Sequence, residues 1–303
     1  MNLTEFAVKT VYWFFLYGCI GWCVEVVYAA VKEHKLVNRG FLCGPICPIY
    51  GFGMVGLVYS VQLIPLPDSG SMSAVSIFFI GMVLTTAIEL VGGWVLYKLY
   101  HIRWWDYSKM KYNLGGYICP QFSLLWGLGS VLMIKVVHPL LARGSNPMPF
   151  RVMLILDIVL LIIFVVDVIV STAAAIGLNK YLSEIDELRA RLRVTSDKLT
   201  TVLDEQKLQL ALAKLEGREN AAELRAEATA RVAELREKLA AVDRHPLSTR
   251  RLLRAFPDMK SLNYAETLAA TRTAVIRLRE LAAAAKETAR ETAANAAEKI
   301  KKV

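Results

Sequence analysis

Apolar residues dominate four long stretches of this chain, roughly 8–31, 74–100, 117–137 and 152–177. A hydrocarbon core about 30 Å thick takes about 20 such residues as a helix, so each stretch predicts a membrane span. A fifth stretch, 46–66, is shorter and Gly-rich but equally free of charge, and it is read as a fifth span. The first stretch contains Glu25 and lacks a small-residue cleavage site after a short apolar core, which predicts a retained span and not a signal peptide.

Beyond 178 the pattern changes period. Apolar residues recur at 185, 188, 192, 199, 203, 208, 212 and 215, then at 224, 228, 232, 235, 239 and 242, with Glu, Arg and Lys between them. This spacing predicts one or two long helices with a coiled-coil seam, interrupted near Gly217 and ended by His245-Pro246. A short basic element, Thr249 to Phe256, stops at Pro257; its Arg250, Arg251 and Arg254 are read as touching anionic lipid or as solvated. An Ala-rich helix from about Asn263 to Lys302 completes the tail, its helices pairing with copies of themselves or folding back as a hairpin.

Composition sharpens the division. The chain is 55% hydrophobic and 21% charged with a net charge of +9, yet residues 1–177 hold only eight of its 27 acids. An apolar half joined to a charged half excludes a single soluble globular domain. Five cysteines, an odd number confined to 19–119, exclude a small disulfide scaffold. Lys and Arg crowd the 32–45 and 98–116 loops and the start of the tail, while the 65–73 loop has none. That bias predicts an outside N-terminus and a cytoplasmic tail at the plasma membrane. The fold class is therefore all-α: a polytopic membrane domain over 1–177 and a cytoplasmic helical coiled-coil domain over 178–303.

Residues 41–48 (Phe-Leu-Cys-Gly-Pro-Ile-Cys-Pro) align with 113–120 (Asn-Leu-Gly-Gly-Tyr-Ile-Cys-Pro), identical at five of eight positions. Each segment follows a basic loop and opens an apolar helix, and each preceding helix carries one acid, Glu25 or Glu89. The expectation is two parallel helix–loop–helix repeats, about 8–66 and 74–137, plus a fifth helix over 152–177. Pro48 and Pro120 fall in the first helical turn, where a missing N–H costs little. Both helix N-termini then present free N–H groups and positive dipole ends.

Three carboxylates, Glu25, Glu89 and Asp167, lie within spans. A charge at the bilayer centre costs at least ~2.5 kcal/mol, so such groups face the protein interior. Together with the 44–50 and 116–123 turns they form the candidate polar site, read either as a cation, proton or substrate site or as carboxyls that hold helices together. Asp157 and Lys135, near the outer face, are expected to pair. The cysteines have no His or further Cys at metal-ligand spacing, so no metal is expected. The run 51–56 matches GxGxxG by letter but sits in a span without βαβ context, and its glycines fit close helix contact instead. No Walker A motif, GxSxG or HExxH occurs, so neither an ATPase nor another enzyme is expected, and no cofactor. Interleaved bases and acids give no nucleic-acid surface.

Two longer motifs carry a resemblance. The first is Asn38-Arg39-Gly40-Phe41-Leu42-Cys43-Gly44-Pro45-Ile46-Cys47-Pro48-Ile49-Tyr50-Gly51-Phe52-Gly53. The second is Trp105-Asp106-Tyr107-Ser108 with Tyr112-Asn113-Leu114-Gly115-Gly116-Tyr117-Ile118-Cys119-Pro120-Gln121-Phe122-Ser123-Leu124-Leu125-Trp126-Gly127. They resemble the signature of a bacterial family labelled ABC-transporter permease, type IV, or CmpB-like. His138-Pro139, the Asp167–Ser171 stretch and the basic element 250–257 are similar too. The resemblance implies a permease and, with no nucleotide-binding domain in the chain, a separate ATPase subunit as a partner. It adds Asn38, Arg39, Cys47, Tyr50, Asp106, Tyr107, Ser108, Asn113, Gly116, Tyr117, Cys119, Ser123 and Trp126 to Glu25, Glu89, Asp167, Pro48 and Pro120 as the candidate transport or ligand site. Two functions compete: a channel or permease-like transport protein, homo-oligomeric through the tail and in contact with membrane lipid, and a membrane-anchored coiled-coil scaffold or sensor.

Overall fold

The computed structural model describes residues 2–34, 36–64, 72–145, 147–195, 251–253, 255–256 and 259–273, and a few single positions between 226 and 237. Most of the expected coiled-coil seam and of the final Ala-rich helix lies outside the described residues.

The labelled elements among the described residues are six helices and two short strands. They are α1 (Leu3–Glu33), α2 (Pro48–Leu63), α3 (Ala74–Tyr100), β1 (Ile102–Arg103), α4 (Pro120–Leu132), α5 (His138–Ser145), α6 (Phe150–Thr195) and β2 (Lys260–Ser261). A π-helical turn, Met133–Val137, joins α4 to α5. Among the described residues, four helical stretches are long and apolar enough to cross a membrane: Leu3–Lys32, Ala74–Tyr100, Pro120–Ser145 and Phe150–Glu187. The chain is thus a mostly helical, multi-pass membrane protein. The fifth apolar helix, α2, has 16 residues, about 24 Å at 1.5 Å each, which is short of the 30 Å hydrocarbon core.

The helix ends follow from their residues. Asn2 and Glu5 form a reciprocal capping box on α1, with Glu5 N–H donating to Asn2 Oδ1 at 2.7 Å. Ser73 accepts from Ser76 N–H at 3.0 Å and caps α3. α1 and α3 both stop at a left-handed histidine, His34 and His101, each with φ 53°. α2 and α4 both start after an extended cysteine, Cys47 and Cys119, with proline in the first turn and no side-chain cap.

Two expected boundaries move. The third long span does not end at 137: Pro139 offers no N–H, and the chain absorbs this in the π-helical turn, where His138 N–H reaches Met133 O and the helix continues to Ser145. The helix that carries the last span also runs past 177, without a break to Thr195.

Small residues set the packing. A Cβ on Gly21 would lie 2.2 Å from the Tyr50 ring, and a Cβ on Gly81 would lie 2.2 Å from Ser130, so α1 meets α2, and α3 meets α4, at glycine distance. One apolar cluster gathers Tyr17, Met54, Leu57 and Val58 with Trp13, Ile80, Leu84 and Ile134. Another joins Phe15, Leu42 and Ile46 to Leu160, Phe164 and Val168 of α6.

The chain divides into two compact units, Met1–Ile176 with Arg251–Leu262, and Gly177–Arg250 with Asn263–Val303. Segment 251–262, which the sequence reading assigns to the tail, therefore groups with the membrane helices. In the second unit α6 buries Leu178, Leu182 and Ile185, and Thr267 hydroxyl donates to Asp186, so the helix at 265–273 folds back on α6 within one chain.

Candidate functional site

The loops 34–47 and 101–119 build the site, each between a long helix and a Cys-Pro helix start. In the first loop Asn38 organises the backbone. Its Oδ1 accepts from Trp22 Nε1 at 2.8 Å and from Gly40 N–H at 3.2 Å, and its Nδ2 donates to Cys43 O at 2.6 Å. Arg39 is thereby aimed back at α1. Its Nε lies 3.5 Å from Glu25 Oε2, and its guanidinium sits over the Tyr28 ring at 4.7 Å. The other Glu25 oxygen accepts from Tyr50 hydroxyl at 2.7 Å.

The second loop is tighter. Asp106 accepts from Ser108 N–H and Ser108 Oγ, both at 2.9 Å. Asn113 donates to Met110 O at 2.7 Å and accepts from Gly116 N–H at 2.9 Å. Gly116 has φ +76°, and a Cβ there would fall 2.7 Å from both Arg103 and Asp106, so the turn requires glycine. Gly116 O accepts from Tyr107 N–H at 2.9 Å, and Arg103 donates to Gly115 O at 2.8 Å while lying 4.7 Å from the Tyr117 ring. This frame directs Tyr107 inward. Its ring stacks on Phe122 with centroids 4.7 Å apart, and its hydroxyl donates to Glu89 Oε1 at 3.0 Å. Trp126 Nε1 donates to Glu89 Oε2 at 3.1 Å, and its ring meets Tyr50 edge-on at 5.6 Å. A chain of contacts results, Arg39–Glu25–Tyr50 and Trp126–Glu89–Tyr107, its two polar clusters joined by the edge-on Tyr50 and Trp126 rings. It joins α1 and α2 to α3 and α4, and Glu89 at its centre is buried, 6% exposed.

Asp167 is drawn elsewhere. Its oxygens accept from Cys43 N–H at 2.8 Å, Gly44 N–H at 2.7 Å and Ser171 Oγ at 3.0 Å. It pins the first loop to α6 and has no hydrogen bond within the Glu25–Glu89 path. Pro48 and Pro120 sit in the first turns of α2 and α4, Cys47 and Cys119 are buried N-caps, and Ser123 hydroxyl donates to Cys119 O at 3.2 Å. These are helix-start positions that set where Tyr50 and Trp126 fall. Among the described residues no group of three His, Cys, Asp or Glu is placed to hold a metal ion.

Two expectations are corrected. Asp157 and Lys135 do not pair: Lys135 Nζ donates to Met72 O at 2.6 Å, and both buried oxygens of Asp157 lack a hydrogen-bond partner. Arg251, read as a lipid or solvent contact, is half-buried against the first loop, while Arg250 and Arg254 lie outside the described residues. The Arg251 guanidinium donates to the consecutive carbonyls of Gly40 and Phe41. Around it Leu252, Ala255 and Met259 are buried, and Phe256 meets Trp104 at 5.0 Å. β2 pairs antiparallel with β1, and Lys260 pairs with Asp106. Phe122 and Lys260 are further partners that sequence reasoning passes over. The signal for the docked segment was its resemblance to a family tail element; nothing in the spacing points to its acceptors.

Electrostatics outside the spans agree with this geometry. Burial alone pushes the Asp106 carboxyl up, but Lys260 and the Ser108 N–H and hydroxyl outweigh it and hold the carboxyl below its ordinary value. Burial, and then the neighbouring Glu89, raises the Tyr107 phenol, so it stays a proton donor. Burial lowers Arg251, with Cys43 and Asp167 opposing that shift.

Neither the curated proteins nor the solved structures yield a match. A family model described as "Putative ABC-transporter type IV" matches residues 12–172, over half the chain and the whole of the two-loop framework. The chain is a multi-pass membrane protein of that ABC-transporter type IV family.

Proposed function

We propose that this protein is a channel or permease-like transport protein that moves an ion or small solute past the Glu25–Glu89 pair. One observation carries the reading: a carboxylate from each of two helix pairs sits in a polar cluster, and the two clusters meet at the Tyr50 and Trp126 rings inside otherwise apolar helices. Intramembrane carboxylates cost several kcal/mol and mark solute or proton pathways when they face a bundle interior. The family supports a transport role. The finer reading has five spans, α2 crossing with its neighbours in a locally thinned bilayer, the N-terminus outside, and both loops cytoplasmic. Two parallel repeats account for the shared histidine stops and Cys-Pro starts of α1–α2 and α3–α4. In this reading the protein makes and breaks no bonds, assembles with copies of itself through the tail, and takes any ATP-driven work from a separate subunit.

A scaffold or sensor is the second reading. It is favoured by one fact: the oxygens of both glutamates already have internal partners. The test is flux of cations and anions in proteoliposomes, comparing the native chain with Glu89→Gln. Transport predicts at least a tenfold loss of a selective flux on this substitution, equivalent to ~1.4 kcal/mol on the barrier. Flux unchanged in both Glu25→Gln and Glu89→Gln sinks the carboxylate site and leaves the scaffold, and flux absent from the native chain leaves the scaffold or a permease that runs only with its ATPase subunit.

A further inference from the structure

The segment 251–262 comes from far along the chain, yet it touches both loops that frame the carboxylate pair. At one end the Arg251 guanidinium holds the carbonyls of Gly40 and Phe41, in the first loop. At the other, Lys260 holds Asp106, and Leu262 N–H donates to His101 O at 3.0 Å, in the second. Leu252, Ala255 and Met259 are buried between these anchors, so the contact is a packed one. The placement of the anchors is the informative part. Gly40 follows Arg39, the residue paired with Glu25. Asp106 precedes Tyr107, the residue that donates to Glu89. Each polar anchor is therefore one peptide away from a partner of one carboxylate. Arg251 also lies in the field of Asp167, which pins the first loop from the α6 side. Along the chain the segment is continuous on both sides with the second unit, 177–250 and 263–303.

We propose that segment 251–262 is a strap whose docking positions the Glu25–Glu89 pair and makes it responsive to the second unit. Docked, the strap fixes Arg39 and Tyr107 against the two glutamates. Undocked, it frees two loops at once, because the same short segment supplies the anchor for both. Arg251 and Lys260 are positioning residues, acting through Arg39 and Tyr107. That the strap regulates flux rests on the transport reading; that it sets the exposure of the pair does not.

The ladder supplies a lock. Leu262 N–H bonded to His101 O makes 101 and 262 a hydrogen-bonded pair, so Ile102 and Ser261 form the adjacent non-hydrogen-bonded pair. Such a pair has Cα atoms about 4.5 Å apart, within disulfide range. The full chain carrying Ile102→Cys and Ser261→Cys is reconstituted in liposomes, oxidised, and compared with the same protein after reduction and desalting. Arg251→Gln with Lys260→Gln gives a released form. The readout is labelling of the native buried thiols Cys47 and Cys119 by a small water-soluble thiosulfonate, each resolved by mass spectrometry. These two residues cap the helices that carry Tyr50 and Trp126. The proposal expects labelling about tenfold slower in the locked form than in the reduced form, and faster again in the released form. Equal labelling in all three overturns it and makes the strap a static part of the fold, as does failure of the disulfide to form. Flux is recorded in parallel. Labelling that follows the strap without flux in any form leaves the strap standing and removes transport by this chain alone.

Discussion

At the residue scale, the site depends on neutral donors aimed at charged acceptors. Tyr107 and Trp126 each give one hydrogen to Glu89, and Tyr50 gives one to Glu25. A buried carboxylate without donors is the expensive alternative. Tyr107→Phe removes one donor and keeps the ring on Phe122, so the loss is isolated. Leaving one Glu89 oxygen unmet costs about 1–3 kcal/mol. Thermal unfolding in detergent is expected to show a lower Tm for Tyr107→Phe than for the native chain. An unchanged Tm for Tyr107→Phe would mean that water or another donor serves Glu89. The three span acids were legible in the sequence because charge in an apolar run is conspicuous. What they bind was only partly legible. Tyr50, Tyr107 and Trp126 stood in the motifs, but nothing in the spacing matched donor to acceptor across 25, 18 and 37 residues.

At the element scale, both loops are built by polar side chains that satisfy backbone groups. Asn38 and Asn113 do this locally, over a few residues. Asp167 does it from another helix, for two amides at once. The sequence reading grouped Asp167 with the glutamates because all three are acids in spans. Its partners are main-chain N–H groups, which every residue but proline carries, so no pattern could reveal them. Asp167→Asn keeps the shape and one acceptor oxygen, and presents an NH2 where the second amide needs an acceptor. The expected cost is about 1–3 kcal/mol, with faster hydrogen exchange at the amides of Cys43 and Gly44 and little change at those of loop 101–119. Uniform change across both loops would mean that Asp167 supports the whole helix packing and not one loop. The Pro139 turn teaches a related lesson. The sequence reading ends the span at 137, and the chain instead makes a π-helical turn before Pro139 that keeps the helix going to Ser145.

At the scale of the whole molecule, segment 251–262 bonds to both loops at once. Its acceptors include consecutive carbonyls 211 and 210 residues earlier, and its strand is two residues long. Neither feature has a sequence period, which is why a basic element with three arginines read as a lipid or solvent contact. Its electrostatics yield a pH dependence whose sign can be worked out. Asp106 carries a carboxyl held below its ordinary 3.8, with Lys260 and Ser108 overcoming the upward push of burial. A depressed folded-state value means that docking is stabilised wherever the free carboxyl would already be ionised. That stabilisation is full above about pH 5, and it is lost as the pH falls through the free and then the docked value. Asp106→Asn reproduces the protonated state at neutral pH. It is expected to loosen β2 there, seen as faster exchange of the Leu262 amide, and to remove any further acid-induced loosening below pH 4. Native protein should match the variant in acid and be better protected at pH 7. If the two are protected alike at pH 7, the buried Leu252, Ala255 and Met259 hold the strap without help from the ion pair, and its release must come from pulling on the chain and not from charge.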